Sequence, residues 1–141
     1  MLVLGTKCKM VEIIIVAHPE IASSFTTCVR HILARRMDNL HILAVHRTEN
    51  FEHVLKRAEK FVATLPPDRE ILMLTDIFGA TPSNVANNLI KKGKVELITG
   101  LNLPMLIRAI SHANSGLETV VAKALDGGLH GIRHIDTGDS W

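Results

Sequence analysis

Residues 11–17 read VEIIIVA and residues 70–75 read EILMLT. Neither run alternates apolar with polar, so neither suits a sheet with one wet face. A short, continuous, β-branched or apolar run suits a strand covered on both faces, which is how the inner strands of a parallel sheet are written. Residues 40–45 (LHILAV) and 95–99 (VELIT) are two more runs of strand length. Between the strands the apolar period changes to that of a helix. Ile21, Phe25, Cys28, Val29 and Ile32 make one stripe, within residues 20–36. Phe51, Val54, Leu55, Ala58, Phe61, Val62 and Leu65 make a second, stopped by Pro66 and Pro67. Pro82 opens a third helix with Val85, Ala86, Leu89 and Ile90 inward, ended by Gly93. Pro104 opens a fourth over Leu106, Ile107 and Ile110. Leu117, Val120, Val121, Ala124 and Leu125 give a fifth, which Gly127 and Gly128 are expected to close. Residues 130–135 read as a short edge strand.

Strands that alternate with helices specify an α/β fold: an open, mainly parallel sheet with helices on both faces and right-handed crossovers. The expected strand order is flavodoxin-like, with a short C-terminal edge strand. Residues 1–10 are an N-terminal extension, 11–135 one domain, and 136–141 a tail. No linker, repeat or low-complexity segment divides the chain.

Composition narrows the function. The 141 residues hold 47% hydrophobic and 21% charged residues, the balance of a globular domain, and the net charge is only +2. No strong field draws such a chain to nucleic acid or a membrane surface. Aromatic residues are 4%, too few for base-stacking platforms. The longest apolar runs fall far short of the roughly 20 residues that span a bilayer, so a cytoplasmic protein is expected. Cys8 and Cys28 are the only cysteines, and a reduced chain is the expectation. No metal-ligand spacing occurs, and neither G-x-G-x-x-G nor G-x-x-x-x-G-K-[ST] is present, so no metal or nucleotide cofactor is expected.

In open α/β sheets ligands bind beyond the carboxyl ends of the strands, where the strand order reverses. The first strand ends in His18 and the third in Asp76. In the expected order these strands are neighbours and the two side chains face each other. A carboxylate on one ring nitrogen fixes the tautomer and leaves the other nitrogen's lone pair free as a nucleophile. The same pairing also occurs structurally, and position alone divides the two readings evenly. Residues 78–84, FGATPSN, add a tight turn at Gly79, an N-cap at Thr81, Pro82 in the first helical turn, and Ser83 behind it. A helix start there offers free N–H groups to an anion. The other seven histidines carry no motif.

Three segments in order, VEIIIVAH (11–18), LTDIFGATPSN (74–84) and GLNLPML (100–106), resemble the IIA components of the mannose family of the bacterial phosphotransferase system. The likeness runs from Val11 to Ile135. It implies a phosphorylated histidine at His18, a carboxylate partner at Asp76, and a phosphoryl group held by Gly79, Thr81 and Ser83, with Asn102, Pro104 and Met105 beside the site. It implies receipt of phosphate from the histidine-containing phosphocarrier protein and delivery to a IIB domain in sugar uptake, with membrane contact only through transporter subunits. It also implies a homodimer with residues 130–135 at or across the interface. The chain departs from the family's usual His-Gly by carrying His18-Pro19, and has Ala80 where glycine is common. A regulatory phosphorylation-dependent binding module and the phosphotransfer subunit of a dihydroxyacetone kinase are the alternative functions.

Overall fold

A computed structural model describes residues 10–138. The expected N-terminal extension, with Cys8, and the last three residues of the expected tail lie outside the described residues. Elements run β1 (Glu12–Ala17), α1 (Pro19–Leu33), β2 (Leu40–Ala44), α2 (Phe51–Thr64), β3 (Ile71–Thr75), α3 (Thr81–Asn87), β4 (Val95–Thr99), α4 (Leu103–Ser111) and α5 (Leu117–His130). All three strand pairings are parallel, in the order β2-β1-β3-β4. This is the flavodoxin-like arrangement, and it puts β1 and β3 side by side with Val16 opposite Thr75.

Every residue of β1 and of β3 is buried. Their side chains alternate between two cores. Ile13, Ile15, Ala17, Leu72 and Leu74 pack with Leu106, Ala109, Ile110, Val120 and Ala124 of α4 and α5 and with Val29 of α1. Ile14, Val16, Ile71 and Met73 pack with Val54 and Ala58 of α2 and Val85 and Ala86 of α3. Each fully buried Ile or Leu contributes about 1.5–3 kcal/mol, so the two central strands hold the ends that carry His18 and Asp76 firmly. One acid enters this frame. Glu12 is 7% exposed and its Oε2 lies 2.7 Å from Nε2 of His41 in β2. Arg69 stands 3.6 Å from its other oxygen. That trio sits at the amino ends of the strands, away from His18.

Two expectations fail at the C-terminus. Gly127 and Gly128 do not close the last helix, which continues to His130, the Gly131 N–H bonding the Gly127 carbonyl at 2.9 Å. The cause is close packing on α4. A Cβ on Gly127 would lie 2.9 Å from the Pro104 carbonyl oxygen, and one on Gly128 2.9 Å from the Met105 Cε. The glycines are there because nothing larger fits between the helices. The expected edge strand at residues 130–135 is also absent among the described residues. The Ile132 N–H turns back to the Leu129 carbonyl, and no strand lies beside these exposed residues to form a ladder.

Candidate active site

β1 delivers His18 at its carboxyl end, and the same residue starts α1. The His18 carbonyl accepts the Ala22 N–H at 3.0 Å, and Pro19 occupies the first turn. Proline is suited to that place because its missing N–H would have had no helical partner. His18 therefore stands at the positive end of a 15-residue helix, where an anion on its ring is favoured.

β3 delivers Asp76 beside it. Asp76 Oδ2 lies 2.5 Å from His18 Nδ1 and accepts the His18 backbone N–H at 3.1 Å. Asp76 Oδ1 accepts the Ile77 N–H at 2.9 Å. The carboxylate thus holds the ring and the backbone of His18 with one oxygen and the start of the next loop with the other. Its side chain is 11% exposed and that of His18 is 34% exposed. Burial pushes the Asp76 pKa up. The donors outweigh it, with the His18 backbone N–H first, then its ring and the Ile77 N–H, and hold the carboxyl below its ordinary range. An ionised carboxylate only accepts hydrogen bonds. Nδ1 must therefore carry the proton, which leaves the Nε2 lone pair free.

The turn after Asp76 has Gly79 at φ 87°, a conformation that glycine adopts without strain. The N-cap of α3 falls on Ala80 instead of Thr81, because the Ala80 carbonyl accepts the Asn84 N–H at 3.0 Å. Thr81 is the first helical residue and is exposed, as Gly79 is, while Ser83 is buried. The structure so brings His18 and Asp76 together, and places Gly79 and Thr81 on the exposed turn that follows. Asn102 caps α4, accepting the Met105 N–H at 2.9 Å, and donates through Nδ2 to the Gly128 carbonyl at 3.1 Å. It joins α4 to α5 and touches neither His18 nor Asp76 by hydrogen bond.

Three features escaped the sequence reading. Ile77 and Phe78 are 60% and 83% exposed; two large apolar residues in a loop at the ligand end of a sheet are the signal for them. On the other side of β1, Glu49 fixes the β2–α2 loop. It accepts the His46 N–H at 2.8 Å and both its oxygens bond Arg57. The His46 N–H foremost lowers the Glu49 pKa; burial opposes it, and the Arg57 guanidinium helps to keep it lowered. The His41–Glu12 pair is the third.

A fold of this order with a histidine and a carboxylate meeting at its switch point defines a histidine-centred α/β domain, and comparison with known proteins makes the class specific. The family model EIIA-man, PTS system fructose IIA component, matches residues 12–125. The chain belongs to this family of phosphotransferase-system IIA components, which serve phosphotransfer in sugar uptake. It is 30% identical over 107 residues to the sorbose-specific EIIA component of Lacticaseibacillus casei, covering 74% of this chain and 75% of that one. The crystal structure of phosphotransferase system component EIIA from Streptococcus agalactiae is 26% identical with a TM-score of 0.76, covering 89% of this chain and 97% of its own. The mannose/sorbose-specific IIA subunit from Enterococcus faecalis matches in fold, with a TM-score of 0.82 at 19% identity over 94% of this chain and 99% of its own. No described helix is long and apolar enough to cross a membrane.

Proposed function

We propose that the chain carries a phosphoryl group on His18 Nε2, taken from the histidine-containing phosphocarrier protein and passed to a IIB domain, in the cytoplasm. The observation that carries this reading is the 2.5 Å contact between His18 Nδ1 and Asp76 Oδ2. In receipt, the Nε2 lone pair attacks phosphorus as the donor's P–N bond breaks. The ring gains positive character, which the Asp76 carboxylate offsets through the Nδ1 proton. Delivery runs the same steps in reverse. Such transfer depends on alignment and on stabilising charge at the phosphoryl oxygens. The α1 terminus, the Gly79 turn and Thr81 supply that stabilisation without a metal; Ser83, buried in the first turn of α3, is the member of the expected phosphate-holding group set back from the surface.

The proposed assembly is a homodimer. Leu125, Leu129 and Ile132, 42%, 69% and 77% exposed, lie at helical spacing on and just beyond α5, and Ile135 is 49% exposed. An apolar stripe of this kind marks an interface, and β4 stands at the end of the sheet order, beside α5.

Incubation with phosphoenolpyruvate, enzyme I and the phosphocarrier protein should add the mass of one phosphoryl group. His18→Ala should add none. A wild type that gains no mass from an active carrier, or a His18→Ala variant that gains it at the wild-type rate, overturns the assignment.

A further inference from the structure

The turn after Asp76 is held at both ends. Ile77 N–H is bonded to Asp76 Oδ1 at 2.9 Å, and the Asn84 side chain donates to the Gly79 carbonyl at 3.3 Å. Between these anchors the chain presents Ile77 and Phe78 to solvent, 60% and 83% exposed. Neither residue belongs to either core. A large aromatic side chain held out by an ordered turn, two residues from the carboxylate that orients the nucleophile, has no role in packing the monomer.

The geometry points to the Ile77–Phe78 ridge as the docking anchor for a phosphohistidine-bearing protein that presents an apolar patch around its own histidine; this rests on the proposed carrier function. Direct transfer requires the partner's phosphorus to reach bonding distance of His18 Nε2, so the partner's surface must cover the immediate rim of His18. On the β3 side that rim is the ridge. The two side chains offer on the order of 250 Å² of apolar surface. That is about a third of what one partner contributes to an ordinary interface, and a larger share of a transient one. On the β2 side the Val45 N–H bonds the Ala17 carbonyl at 2.9 Å, which lays His46 and Arg47 along the other flank. Both are exposed, and they complement a phosphoryl anion carried in by the partner. Because one nucleophile serves both receipt and delivery, donor and acceptor meet the same ridge and exclude each other.

The test separates docking from chemistry with two phosphoryl donors. From the phosphocarrier protein, the donor's P–N bond breaks, its electron pair returns to the donor ring, and the new P–N bond forms on Nε2 while the Nδ1 proton stays with the Asp76 contact. From phosphoramidate the same bond forms and ammonia leaves, with no protein to dock. Labelling is followed by intact mass. Phe78→Ala should raise the concentration of phosphocarrier protein giving half-maximal rate by about tenfold, the usual effect of truncating a central aromatic anchor. Its labelling by phosphoramidate should stay within about twofold of wild type, and Phe78→Trp should regain most of the loss. An unchanged half-maximal concentration in Phe78→Ala overturns the ridge alone. Phosphoramidate labelling that falls in parallel also overturns it, by showing that Phe78 acts on the chemistry of His18. A wild type that phosphoramidate labels and the phosphocarrier protein does not overturns the carrier function and the ridge with it.

Discussion

Asp76→Asn is the sharpest perturbation of the site because it keeps the shape and removes the charge. Asp76 accepts three N–H groups: His18 Nδ1 at 2.5 Å, the His18 backbone at 3.1 Å and Ile77 at 2.9 Å. Asparagine has one oxygen, so its NH₂ must face a donor on one side. If it faces His18, it favours the wrong ring tautomer and takes the lone pair from Nε2. If it faces Ile77, an exposed N–H exchanges its acceptor for water, at about 0.5–1.5 kcal/mol of stability. In either pose the developing ring charge loses a charge-assisted bond of about 1.5–3 kcal/mol, which is on the order of ten- to a hundredfold in rate. Labelling by phosphoramidate, read by intact mass, measures this without a protein donor. Because the folded carboxyl titrates below its ordinary range, its stabilisation is complete above the unfolded pKa of about 4 and is lost as pH falls through the lower folded value. The stability gap between wild type and Asp76→Asn in urea should therefore be full at neutral pH and shrink below about pH 4. A variant that labels within twofold of the wild-type rate would refute the orienting role of Asp76.

Further outcomes follow from the same geometry. Thr81→Ala should slow labelling by about fivefold or less, the worth of one neutral hydrogen bond beside backbone donors; a complete loss would make the hydroxyl essential. Gly127→Ala should lower the urea midpoint, because about 1 kcal/mol of helix propensity is outweighed by a Cβ placed 2.9 Å from the Pro104 carbonyl; a stabilised variant would show that α4 and α5 can separate freely. Leu129→Glu should convert the proposed dimer to monomer in light scattering while the monomer still unfolds cooperatively, since Leu129 is 69% exposed within one chain. A dimer that survives the charge would place the interface elsewhere.

The strands and the site pair were legible because both depend on local, one-dimensional signals. Residues 11–17 and 71–75 are apolar but for Glu12 and Thr75, the kind of run that suits an inner parallel strand; once those strands are neighbours, His18 and Asp76 must meet. What escaped the sequence depends on contacts between distant residues. Gly127 and Gly128 look like a helix stop until Pro104 and Met105 press against them. Residues 130–135 look like a short strand after two glycines, yet a strand exists only with a ladder partner. The cap of α3 shifted by one residue because a backbone bond, Asn84 to Ala80, decided it in place of the threonine side chain. His41 reads as a histidine without a motif until the buried Glu12 of β1 is laid beside it.

The glycine seam between α4 and α5 has a consequence for the order in which the chain folds. Each glycine inside a helix weakens it by about 0.5–1 kcal/mol relative to alanine, and two of them occupy adjacent places in the final turn of α5. A helix of 14 residues is marginal alone even without them. The last turn of α5 therefore cannot form ahead of its docking. It takes shape only when the α4 surface, capped by Asn102, is already in place to receive it. Asn102 Nδ2 closes the Gly128 carbonyl in the same act. The end of α5 is thus among the late parts of the molecule to become native and the early ones to open. In the proposed dimer, the last apolar residues become available to a second copy only after the sheet and α4 are complete.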